Sequence, residues 1–142
     1  MGEARQVEDR LTDALNGRDL DGIASCYAAD AVLVDPLGIH AGTDQIIESW
    51  RQLIEAFPDA VGTVEHKYES GDTAIDEWTW VGTNSGPLTM PTGEQFPATG
   101  RRVNLRGADV ATVQDGVITS HRIYFDQMEF LGQLGLVPTP RG

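Results

Sequence analysis

Asp109, His121 and Asp126 are the residues of this sequence whose types and settings best suit acid/base chemistry. Asp109 lies between Ala108 and Val110 in an alternating run, on the strand face of Leu105 and Ala111. A carboxylate on an apolar face is costly unless it is paired or protonated, and its pKa can then be tuned for proton transfer. Asp115-Gly116 is a strong hairpin turn, so His121 on the next strand comes near Asp109 across it. An Asp–His pair makes an oriented base. The opposing reading is a satisfied inward histidine or an interface residue. Asp126 shares a strand face with Tyr124, yet Asp126-Gln127-Met128-Glu129 is also a capping box for a last helix.

A second group could shape a binding pocket. Asp35 follows three apolar residues and precedes Pro36, either as an acid at a pocket mouth or as a turn former. His40, just beyond it, reads as a surface loop residue. His66 alternates with Val64 and Tyr68 on what reads as an inward face. Trp78 and Trp80 alternate with Glu77, so one face carries the tryptophans and the other the carboxylate. If the tryptophans point inward they can stack on a flat ligand; if Glu77 does, it becomes an acid/base candidate. Trp50 reads as core or pocket wall. The three histidines lack ligand-like spacing, so no metal is expected. Glycine-rich phosphate loops, a nucleophile elbow and a Cys–His pair are absent from the sequence.

The elements that must position these residues follow from periodicity. Val7, Leu11, Ala14 and Leu15 predict a helix over 3–16, stopped at Gly17. A second short helix fits 19–28 with Asp19 as N-cap. Residues 31–35 form a short apolar strand broken by Pro36 and Gly38. Residues 43–57 form the clearest helix, with Thr43 as a cap and Ile46, Ile47, Trp50, Leu53, Ile54 and Phe57 as its apolar stripe. The period then changes to two. Strands are predicted around 64–69, at 73–83, 101–114 and 117–125, followed by a helix over 127–134 and a frayed tail beyond 136. Residues 84–100 hold three glycines and three prolines and read as a long loop, of the kind that often lies over a site. Helices first and meandering strands after is an α+β layout: a curved antiparallel sheet forming a cone-shaped pocket closed by the N-terminal helices.

Whole-chain properties narrow the partners. At 142 residues with 40% hydrophobic and 23% charged, the chain fits one domain, 1–142, with its core at about 5–136. A net charge of −12 argues against nucleic acid and anionic lipid, both of which need clustered Lys and Arg. The single Cys26 allows no intrachain disulfide and reads as a buried inert thiol. No apolar run reaches the ~20 residues that span a membrane, and the polar first residues do not resemble a signal peptide. A cytoplasmic location is the expectation.

The motifs also carry a family resemblance. Asp35-Pro36-Leu37-Gly38, then Gly42-Thr43-Asp44 opening a helix that ends Ala56-Phe57-Pro58-Asp59, resemble the SnoaL-like polyketide cyclases of the nuclear-transport-factor-2-like superfamily. The likeness continues through Glu77-Trp78, Gly82-Thr83, Pro91-Thr92-Gly93, Asp115-Gly116-Val117-Ile118 and Tyr124-Phe125-Asp126 to Gln133-Leu134-Gly135-Leu136, covering about 5–136. It implies a cone with a helical lid, commonly a homodimer packed through the sheet, and an apolar small-molecule substrate handled without a cofactor. It also implies an acid/base Asp in a His-Arg-Asp run, which here reads His121-Arg122-Ile123, while the partnering His falls at Asp109. The expected activity is proton transfer leading to cyclisation or isomerisation of a carbonyl-bearing natural product. Epoxide opening is an alternative, for which an inward Arg102 or Arg106 beside Asp109 is the feature to seek. A non-catalytic binding or dimerisation module is another.

Overall fold

The computed structural model describes residues 2–90 and 92–136; the expected frayed tail, 137–142, lies outside the described residues. Three helices come first: α1 (Glu3–Asn16), α2 (Leu20–Ser25) and, after a hairpin of β1 (Tyr27–Asp35) and β2 (Gly38–Ala41), α3 (Thr43–Ala56). Asp19 caps α2 as expected, accepting from the Gly22 amide. α3 starts differently. Gly42, at φ 86°, is its N-cap, and Thr43 instead donates its hydroxyl to the Ala28 carbonyl. The second helix stops short of residue 28 because Tyr27 already pairs in β1, across from Ile118.

The long strands follow: β3 (Val61–Ser70), β4 (Thr73–Thr83), β7 (Arg102–Gln114) and β8 (Val117–Phe125), then α4 (Gln127–Leu134). The segment expected as a long loop contains the short hairpin of β5 (Leu88–Thr89) and β6 (Gln95–Phe96). The main sheet has the order β2-β1-β8-β7-β4-β3. Its pairs are antiparallel except β1 with β8, so the sheet is mixed rather than wholly antiparallel. The cause is topological: β1 precedes α3 in the chain but joins the sheet beside its last strand.

Helices on one face of a curved sheet give the α+β architecture that the sequence predicts. One core cluster joins α1, α2 and α3 to the sheet through Val7, Leu11, Ile23, Ile46 and Ile118. The other closes the far end with Phe57, Leu88, Val103, Phe130 and Leu134.

Two bulges decide which side chains point inward. Pairing between β3 and β4 runs Val64↔Trp78 and then His66↔Glu77, so Glu65 is the extra residue. Between β7 and β8 it runs Val113↔Ile118 and then Thr112↔Ser120, so Thr119 is extra. Each insertion moves the following residues to the other face.

Candidate active site

A cavity of about 210 Å³ opens between the helices and the sheet. Its walls are largely apolar and include the aromatic rings of Trp50, Phe57, Trp78, Trp80, Phe125 and Phe130. Phe57 and Trp80 meet edge to face with ring centroids 4.8 Å apart, a preferred geometry that fixes both rings. The tryptophans of β4 therefore face inward and Glu77 faces outward, which resolves the alternation that the sequence left open.

One part of the wall is acidic. Glu8, Asp76, Asp109 and His121 all line the cavity and are all buried. Asp76 and Asp109 are Cα partners across β4 and β7. His121 sits diagonally from Asp109, because Asp109 pairs with Ile123 and His121 with Ala111. The imidazole Nε2 lies 2.6 Å from Asp109 Oδ2, and Nδ1 lies 2.7 Å from the Tyr27 hydroxyl. That hydroxyl accepts from the Trp50 indole at 3.3 Å. A buried chain of polar groups thus runs from α3 through β1 and β8 to β7.

Glu8 enters from α1. Its position is one helical turn from Ala4 and from Leu11, on the buried stripe of the helix. Burial first, then the neighbouring Asp109 and Asp76 charges, push the Glu8 carboxyl up to about 11, against the opposing pull of Arg5. It is therefore a neutral acid at pH 7, hydrogen-bonded to Asp109. Asp76 is also raised, by burial and by Asp109, although Arg5 stands 2.6 Å away. That contact is a close ion pair with poor hydrogen-bond alignment, since both atoms lack an aligned partner. Arg5 also bonds Asp9 and the Ile75 carbonyl, fastening α1 over β4. Arg5 already pairs with Asp76 and Asp9, and protonating Glu8 relieves the remaining excess of negative charge.

Glu8, Asp109 and His121 offer ligand atoms within 4.8 Å of one another. Both imidazole nitrogens are already engaged, by Tyr27 and Asp109, whereas Glu8 Oε2 is buried without an aligned partner among the described residues. A metal would have to displace those bonds.

The other expected site residues divide. Asp35 lines the cavity and is also a turn former, its Oδ1 accepting from the Leu37 and Gly38 amides at 2.9 and 3.1 Å. His40, expected on a surface loop, lies in β2, lines the cavity and approaches the same oxygen at 3.4 Å. His66 is exposed rather than inward, because the bulge at Glu65 turns it over. Tyr68 goes outward with it and bonds Glu77 on that face. Tyr124 is 58% exposed, and Asp126 is an exposed N-cap whose carboxylate accepts from the Met128 and Glu129 amides. Neither is among the cavity-lining residues, because alternation along β8 gives the inward face to His121, Ile123 and Phe125. Arg102 and Arg106 are also exposed, with Arg106 reaching Glu129, so neither bridges carboxylates beside Asp109.

Sequence reasoning missed Glu8, Asp76, Arg5 and Tyr27. The signal for Glu8 was a charged residue inside the apolar stripe of α1; that for Asp76 was its place on the tryptophan face of β4.

Comparison with known proteins agrees with this architecture. The family profile described as SnoaL-like domain matches residues 9–121. Among solved structures, AclR from Streptomyces galilaeus, a candidate hydroxylase, is 22% identical with a TM-score of 0.81, covering 98% of this chain and 85% of that one. IdmH from Streptomyces antibioticus, a candidate polyketide cyclase, is 26% identical with a TM-score of 0.78, covering 94% and 99%. An LEH-like epoxide hydrolase from M. tuberculosis is 20% identical with a TM-score of 0.72, covering 93% and 89%. A search of curated protein sequences gives no match. No helix among the described residues is long and apolar enough to cross a membrane. Similar folds thus accompany different described activities, and the reaction must be argued from the side chains. The match over most of its length places this chain in the SnoaL-like domain family.

Proposed function

We propose that this chain is an acid/base enzyme that enolises an apolar, carbonyl-bearing small molecule, as a step toward ring closure or isomerisation. The observation that carries the proposal is the neutral Glu8 carboxyl beside Asp109 in a largely apolar cavity. A neutral carboxyl beside a second carboxyl in one cavity offers the proton donor and the proton acceptor that paired acid and base catalysis requires. Asp109 takes the proton α to the carbonyl, while Glu8 gives its proton to the carbonyl oxygen, so an enol forms with no net charge on the substrate. His121 orients the Asp109 carboxylate, and the aromatic side chains of the wall hold the ring system.

The family resemblance supports this reading in a shifted form. The acid/base Asp of the family's cyclases falls at Ile123, which lines the cavity here. Ile123 is the Cα partner of Asp109. The carboxylate is therefore one strand over, still facing the same space.

The test uses a bicyclic ketone such as 2-tetralone in D2O, with α-deuteration followed by proton NMR. The protein should accelerate exchange above the buffer rate. Exchange at the buffer rate, with uptake of labelled water into an aryl epoxide instead, would overturn the reading in favour of epoxide opening.

A further inference from the structure

We infer that Tyr27 is a positioning residue that fixes His121 as the tautomer protonated on Nε2. The inference rests on the role given above to the Asp109–His121 pair and adds the group that holds it. Its basis is donor and acceptor counting along a buried chain. The Trp50 indole N–H can only donate, and it points at the Tyr27 oxygen at 3.3 Å. The phenol has one proton to place. His121 Nδ1 lies 2.7 Å away and is the acceptor within reach among the described residues. Nδ1 is then unprotonated, so the ring proton sits on Nε2 and is donated to Asp109 Oδ2 at 2.6 Å. The opposite direction, Nδ1–H toward Tyr27, leaves the phenol proton without a partner. Tyr27 is 5% exposed and His121 2%, so no bulk water can rescue such an orphan. Burial holds the phenol well above its usual pKa, which keeps it a donor.

The consequence is directional. A histidine free to exchange tautomers presents Nε2 as a donor only part of the time, and the Asp109 carboxylate turns with it. Tyr27 removes that freedom. Because Trp50 sits on α3 and lines the cavity, the chain also begins at a side chain of the cavity wall.

Long-range 1H–15N NMR of the labelled protein reads the tautomer directly, without substrate. In the wild type, His121 should show an unprotonated Nδ1 and a protonated Nε2. A proton on Nδ1 would overturn the inference whatever the variants do. In Tyr27→Phe, which keeps the ring and loses only the hydroxyl, the single tautomer should give way to a mixture or to the doubly protonated ring. Retention of the pure Nε2–H form there would assign its control to Asp109 alone and overturn the role of Tyr27. Since the tautomer is read in the free protein, a ketone-exchange failure with the expected spectrum would refute only the catalytic reading.

Discussion

His121 and Asp109 meet at 2.6 Å because Thr119 is an extra residue in β8. Strict pairing about Asp115 and Gly116 would put Arg122 opposite Asp109 and turn His121 to the outer face. The one-residue bulge advances the strand, and the imidazole lands beside the carboxylate.

The Glu8 carboxyl predicts a pH-dependent stability. Its pKa is about 11 in the folded chain against an ordinary value of 4.5. The unfolded chain therefore binds fewer protons than the folded one between those values, and stability falls as pH rises through that window. The contribution is complete below pH 4.5 and is progressively lost toward 11. Glu8→Gln keeps the neutral shape and removes this dependence. Thermal melts at pH 6 and pH 9 should show the variant gaining on the wild type with pH, by up to about 1.4 kcal/mol per pH unit. Parallel curves would show that Glu8 is not held neutral.

Asp126 predicts a purely structural effect. Its carboxylate caps α4 and is not among the cavity-lining residues. Asp126→Ala should cost about 1 kcal/mol in denaturant unfolding and leave ketone exchange at the wild-type rate. A loss of exchange in folded protein would give Asp126 a chemical role.

Gly107 predicts a steric one. It pairs with Trp78, and a Cβ at this position would stand 2.5 Å from the indole Cη2 and 2.7 Å from the Tyr124 carbonyl oxygen. Such contacts cannot persist, so Gly107→Ala must displace the indole from the cavity wall. Titration of an aromatic ligand should show weakened binding and altered tryptophan fluorescence. Unchanged affinity would mean that Trp78 is not part of the binding wall.

Some of this was open to reading in the sequence. The hairpin turn at Asp115-Gly116, the alternation that puts Asp109 with Leu105, and the cap at Asp126 are local patterns, and each appears in the structure. His66 was misplaced because a bulge leaves no local mark: Glu65 is an ordinary strand residue, and only pairing with β4 shows that it is extra. Strict alternation then carries the error onward to Tyr68. The acidic cluster was hidden for another reason. Glu8 and Asp76 share faces with apolar residues, but their meeting with Arg5 and Asp109 follows from how α1 lies over β4. That packing is a long-range property. Tyr27 was read as the end of α2, whereas its pairing with Ile118 makes it the start of β1 and aims its hydroxyl at His121.

The central claim is that Asp109 is the base. Ketone α-deuteration by Asp109→Asn, measured beside the affinity of the same ketone, tests it most directly. The account predicts exchange slowed by about 10²–10⁴-fold with affinity little changed, since Asn keeps the shape and loses the proton acceptor. Exchange at the wild-type rate in the folded variant would contradict it.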